Sequence, residues 1–192
     1  SFKYTKQQMR FDSLQIQTSK SNIVGNLLFT YNREDLAQFI DKVNINADFI
    51  DSSVATDEIN MLYDQFGSEK LVNFSANVNG VLNDLNVERL FLQSDNTGIR
   101  GDFNFKNIFS KDGPFELRAQ IKNITTSYYE LRSLMPKILG KSLPLIFRRL
   151  GQFTLRGETF ITTTSIETQA NLNTAIGRSY VDLTLSEIGN ID

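Results

Sequence analysis

Cysteine and histidine are both absent from this 192-residue chain. Their absence removes disulfides, thiol nucleophiles, zinc sites of the usual Cys/His type and every histidine-based triad in one step. No run reaches eighteen apolar residues and no charged-then-apolar leader opens the chain, so no transmembrane helix or signal peptide is read in it. Both ends carry strand-like text ("SFKYTKQQMRFDSLQIQ", "YVDLTLSEIGNID"), as expected of an internal piece of a longer protein. The formal net charge is −2, without the basic footprint that nucleic acid demands. No glycine-rich phosphate loop and no G-x-S-x-G elbow is written anywhere.

What is present is alternation at period two, the signature of half-buried strands. It runs through Leu14 and Ile16; Ile23, Leu27, Phe29 and Tyr31; Ile45, Ala47 and Phe49; Val72, Phe74, Ala76 and Val78. It continues through Leu90 and Leu92; Ile99, Phe103 and Phe105; Leu117, Ala119 and Ile121; Phe153 and Leu155; Ile166, Ala170 and Leu172; Val181, Leu183 and Leu185. The intervening positions are mostly Asn, Gln, Thr, Ser, Asp and Lys, which predicts an antiparallel sheet with one apolar and one wet face. Turn-forming clusters such as "NRED", "SDNTG" and "SKDGP" separate the runs. Two stretches break the period. "ATDEINMLYDQFG" carries a helical stripe of Ile59, Leu62, Tyr63 and Phe66 capped by Thr56, and "TSYYELRSLMPKILGKSLPLIFRRLG" carries another that Pro136 and Pro144 should kink. The expected architecture is mainly β with helical insertions, having at least eight strands and helices near 57–66 and 128–139.

The chain also repeats itself. Leu14, Ile16, Ile23, Gly25, Leu27 and Phe29 recur 76 positions later as Leu90, Leu92, Ile99, Gly101, Phe103 and Phe105. Gly80 and Gly157 fall 77 apart, Ala47 and Ala119 fall 72 apart, and a weaker third copy sets Leu92, Phe103 and Phe105 onto Leu172, Leu183 and Leu185. The expectation is one elongated segment with repeats at about 14–89 and 90–169 and a partial third at 170–192, one helix to each full repeat. Stacked repeats bury a continuous core and present an extended surface.

Candidate chemistry is sparse. The neighbouring carboxylates Glu34/Asp35 and Asp57/Glu58 point apart on a strand or helix and cannot flank one substrate bond. "SDNTGIRGD" lacks the spacing and closing Glu of a calcium loop and reads as a hairpin turn. Asn73 and Asn123 sit in glycosylation-type triplets of a kind common by chance. No enzyme, cofactor or metal is expected. One asymmetry remains: between Leu131 and Gly157 the chain carries Arg132, Lys137, Lys141, Arg148, Arg149 and Arg156 and no acid, interleaved with apolar residues. Either this is a helix packed on the sheet with a solvated basic face, or it meets anionic lipid through Lys137, Lys141, Arg148 and Arg149.

The phrases "QTSKSNIVGNLLFTYN", "VNGVLNDLNVERLFLQSDNTGIRGDFNFKN", "SYYELRSLMPKILGKSLP" and "LGQFTLRGETFITTTSIETQANLNTAIG" together resemble the TamB branch (translocation and assembly module) of the AsmA-like proteins, and they cover nearly the whole chain. The resemblance implies a segment of a long protein of the bacterial periplasm, anchored in the inner membrane by a part outside this sequence. It implies strands curled into an apolar-lined trough that moves phospholipid toward the outer membrane. Its partners would be phospholipid acyl chains, flanking repeats of the same polypeptide and, through regions not present here, an outer-membrane barrel protein. The lining expected from the alternation is Ile23, Leu27, Phe29, Phe74, Val78, Leu92, Phe103, Phe105, Leu155, Leu172 and Leu183. The alternative is a scaffold that offers strand edges or an apolar groove to outer-membrane proteins. Helical side chains decide between them: Leu62, Phe66, Leu134 and Ile138 would either plug the apolar face or leave it open.

Overall fold

A computed structural model of the chain describes residues 1–61, 64, 66–109, 113–139 and 145–186. These residues form a single open sheet of eleven strands in strictly sequential order, every neighbouring pair antiparallel. The strands are β1 (Phe2–Tyr4), β2 (Gln8–Gln17), β3 (Asn22–Thr30), β4 (Asn44–Ala55), β5 (Leu71–Val81), β6 (Asp84–Ser94), β7 (Thr97–Lys106), β8 (Glu116–Ser127), β9 (Gln152–Thr162), β10 (Ser165–Thr174) and β11 (Gly177–Ser186). Four short α-helices, α1 (Phe39–Lys42), α2 (Thr56–Asn60), α3 (Tyr128–Leu134) and α4 (Pro136–Leu139), and two 3₁₀ turns, Arg33–Gln38 and Leu145–Leu150, sit in three of the connections.

The registers turn the repeat into geometry. Leu14 opposes Gly25 across β2–β3, and Leu90 opposes Gly101 across β6–β7. Beside each pair the first strand carries one extra residue, between Phe11 and Leu14 and between Val87 and Leu90. The inserted Ser13 and Arg89 take the left-handed conformation, with φ of 53° and 51°. Their amides find the same kind of partner, since Ser13 N donates to Asn26 Oδ1 at 3.0 Å and Arg89 N to Asp102 Oδ1 at 2.7 Å. A second insertion recurs between Phe49 and Ser52 of β4 and between Ile121 and Ile124 of β8. β2–β5 and β6–β9 are thus a first and a second unit, and β10–β11 matches the opening pair of a third.

Those bulges explain how the apolar alternation switches from odd to even positions without leaving its face. The extra residues lie on the strands beside Gly25 and Gly101, not at the glycines themselves. A Cβ on Gly25 would run into the backbone oxygen of Asp48 on β4, and one on Gly101 into that of Gln120 on β8. The bare backbone is therefore needed where the third strand of each unit presses close.

Several sequence expectations are corrected. The units begin at β2, β6 and β10, so divisions at 89/90 and 169/170 would cut β6 and β10 in half. Gly80 and Gly157 are not equivalent. Gly80 opposes Ile45, the counterpart of Leu117, and Leu117 opposes Ile161, while Gly157 opposes Ile121 and takes the place of Ala76. The helical insertions exceed one per unit: "NRED" is the start of the 3₁₀ turn that leads into α1, fixed by Asn32 N donating to Asp35 Oδ2 at 2.8 Å. Thr56 is the first residue of α2 rather than its cap, and its hydroxyl ties to both backbone groups of Lys70. α2 ends at Asn60, whose side-chain amide clasps the backbone N and O of Phe66. The second helical stretch does break at proline: α3 is capped by Ser127, whose Oγ accepts from Glu130 N at 3.2 Å, and α4 restarts at Pro136.

Candidate functional site

Residues paired directly across antiparallel strands share a face, so the registers sort every strand side chain. One face collects Met9, Phe11, Leu14 and Ile16 from β2, Ile45, Ala47 and Phe49 from β4, Leu85, Val87 and Leu90 from β6, and Leu117, Ala119, Ile121 and Ile124 from β8. The eleven lining residues expected from sequence (Ile23, Leu27, Phe29, Phe74, Val78, Leu92, Phe103, Phe105, Leu155, Leu172 and Leu183) all fall on this same face. Ten of them are half-buried, and Leu183, on the last strand, is 36% exposed. Every described strand residue that is buried also belongs to this face, apart from Ala55 at the end of β4.

All eleven strands belong to one sheet, so no second sheet lies over that face among the described residues. The strands make their main contacts with their chain neighbours, while α2, α3 and α1 pack against β4, β8 and β5 respectively. α2 and α3 each continue directly from the last residue of a strand, so they stand at its end. Leu134 is buried and Phe66 half-buried there; Leu62 and the side chain of Ile138 lie outside the described residues. The helical connections of the two full units touch each other at this end, where Gly67 N donates to Leu134 O at 2.9 Å and Lys137 pairs with Asp64.

Aromatic rings mark the opposite end of the face. Phe2, Phe11, Phe29 and Phe39 form a chain of ring contacts with centroids 4.8, 6.5 and 5.6 Å apart. Phe39 comes from α1, the helix that periodicity did not reveal. Further along, Phe49 meets Phe74 edge-on and Phe103 stacks with Phe105 at 6.3 Å.

The wet face holds a recess of about 600 Å³, open to solvent, across β6–β11. Alternation along any one strand does not reveal it, because its lining is drawn from six strands. Glu88, Asp102, Glu158, Glu167 and Asp182 line it, with Arg118 as the single cation lying over the Phe160 ring at 4.3 Å. Asp102 is held below its ordinary carboxylate range mainly by the hydrogen bond from Lys122, reinforced by the Arg89 amide. Five carboxylates around one cation repel an anionic headgroup. Among the described residues no group of His, Cys, Asp and Glu is arranged to hold a metal ion.

The basic residues divide. Arg148 and Arg149 are exposed on the 3₁₀ turn at the helical end, Lys137 is neutralised by Asp64, and Lys141 lies outside the described residues. Arg132 lies over the Tyr128 ring at 6.0 Å and Arg156 donates to Asn123 Oδ1 at 3.1 Å.

No family model matches the chain, and no curated protein or solved structure matches it. The reading of function therefore rests on the face itself and on the sequence resemblance.

Proposed function

We propose that the apolar face carries lipid acyl chains, making this chain a non-catalytic segment of a phospholipid path between two bacterial membranes. The observation that carries the reading is a continuous apolar face to which all eleven strands of one open sheet contribute, with no second sheet among the described residues to cover it. Ten inter-strand steps of about 4.8 Å give the face a span of roughly 50 Å, longer than an extended acyl chain. A chain lying on a sheet leaves water on one side only. About half of the ~0.8 kcal/mol per CH₂ is then gained, roughly 6 kcal/mol for about sixteen carbons, with no sequence-specific contact required. The resemblance to the TamB family supports the same setting: the periplasm, with flanking repeats extending the face. Arg148 and Arg149, exposed at the helical end, suit the phosphate of a headgroup.

The test is Phe103→Glu. Phe103 is half-buried, and a glutamate there can turn its carboxylate to solvent if the face is open. The expected result is a folded protein whose lipid photo-crosslinks at Val87 and Ala119, the residues flanking it, are lost. Collapse of the thermal transition would make Phe103 ordinary core and favour a scaffold. Crosslinks that persist unchanged would remove the lipid path from this face.

A further inference from the structure

The connection from β3 to β4 differs from its counterpart in the second unit. It runs through the 3₁₀ turn Arg33–Gln38 and α1, while the connection from β7 to β8 carries no helix among the described residues. The flanking registers are the same. Thr30 pairs with Asn44 as Lys106 pairs with Glu116, and Phe29 with Ile45 as Phe105 with Leu117. Their burial differs: Val43 and Ile45 are 0% and 8% exposed, whereas Phe115 and Leu117, in the same places, are half-buried. The cover in the first unit is α1. Its Phe39 ring meets Phe29 of β3 at 5.6 Å and the helix packs against β5, so it crosses β4 between them.

That cover is lightly held. No residue of the 3₁₀ turn or of α1 is buried, and Leu36 and Ile40 stand exposed. Besides the Phe39–Phe29 contact, α1 is tied down by Asn83, in the turn between β5 and β6. Asn83 donates from its backbone N to Ile40 O at 3.2 Å and from Nδ2 to Asp41 Oδ1 at 2.6 Å. The same residue accepts from Asn107 N through its carbonyl at 2.9 Å and from Phe109 N through Oδ1 at 3.0 Å. Gln7 holds its place one repeat earlier, where the carbonyl accepts from Tyr31 N at 2.9 Å. The carbonyl contact thus belongs to the repeat, and the grip on α1 is added to it. Segments with few buried contacts and few ties open at low free-energy cost. We infer that Arg33–Lys42 is a strap over one end of the apolar face in the first unit, latched by Asn83 and released as one piece to uncover Val43 and Ile45. On the lipid reading, on which this part rests, an acyl chain occupies the uncovered site and takes the place of Phe39 on Phe29.

The chain lacks cysteine, so a single introduced thiol reports exposure without background. Ile45→Cys should react slowly with a maleimide, and adding Asp41→Ala or Asn83→Ala should speed it about tenfold, the loss of roughly one hydrogen bond. Ile121→Cys, equally buried in the second unit, should keep its rate with either alanine present. Amide exchange at Val43, whose N–H closes α1 on Phe39 O, should rise in step. Joining Asp41→Cys to Asn83→Cys with a short bismaleimide should slow that exchange again. Labelling at residue 45 that neither alanine moves would make the segment a fixed part of the core and overturn the strap. An equal rise at residue 121 would also overturn it, as a general loss of stability. Dihexanoylphosphatidylcholine, added below its micellar concentration, separates the strap from the lipid reading: it should raise exchange at Val43 while shielding residue 45 from the maleimide. If the alanine variants open the strap and this lipid alters neither signal, the strap stands and the acyl-chain occupant falls.

Discussion

Gly25, Gly101 and Val181 occupy one position in three successive units, and the third differs from the first two. Where a third strand follows, as β4 or β8, its backbone oxygen fills the place a Cβ would take. On β11, which pairs with β10 alone among the described residues, a branched side chain sits at the same point. The neighbouring bulge goes with the glycine, present in β2 and β6 and missing from β10. Glycine in this repeat is thus a record of what presses on a strand from outside, rather than of any turn within it.

The hardest test of that comparison exchanges the residues. Gly101→Val should cost about 3 kcal/mol or more, since neither backbone can yield without breaking the β7–β8 ladder. Val181→Gly should cost only about 1 kcal/mol, the ordinary penalty of glycine in a strand. Denaturant titration of the two variants gives the contrast directly, and equal losses would remove the third strand as the cause.

A smaller contrast lies between the two bulges. Asp102→Ala strips the Arg89 amide of a charge-assisted acceptor and frees Lys122, for an expected loss of about 2 kcal/mol. Asn26→Ala removes only a neutral acceptor from Ser13 and should cost about 1 kcal/mol. Thermal melts that rank them the other way would show that the charge contributes nothing at this exposed site.

The smallest effect is one of pH. Because the folded pKa of Asp102 is lowered, its contribution is complete above the unfolded value of about 4 and is lost as pH falls through the lower folded value. Asn26 does not titrate. Exchange protection factors measured in acid should therefore fall at the Arg89 amide while holding at the Ser13 amide, and a parallel decline at both would deny the carboxylate its part.

Much of this was legible in the text. A strand whose apolar positions run Phe11, Leu14, Ile16 or Val87, Leu90, Leu92 shows its bulge as a three-residue step in a two-residue rhythm. The eleven residues that share the apolar face could be named because one face of each strand is apolar and the other amide-rich. What stayed hidden was short or collective. The turn and helix at Arg33–Lys42 offer barely one stripe of Leu36, Phe39 and Ile40, and only the Asn32–Asp35 pair hinted at a cap. Gly80 and Gly157 were matched by residue type, although pairing partners decide equivalence. The recess on the wet face draws its lining from six strands, and no single strand testifies to it.

The strictly sequential strand order carries one last consequence, for how the molecule is made. Each strand from β2 onward bonds first to the one synthesised just before it, and none waits for a distant part of the chain. Sheets usually assemble slowly because remote segments must find each other, at a loop-closure cost that grows with separation. Here the widest gaps are the three helical connections, before β4, β5 and β9, and the others are shorter. A chain threaded through a narrow exit could lay down its sheet one strand at a time, each finished edge serving as the template for the next arrival. Pulled from either end, it should peel apart in the same order, strand by strand, rather than yield all at once.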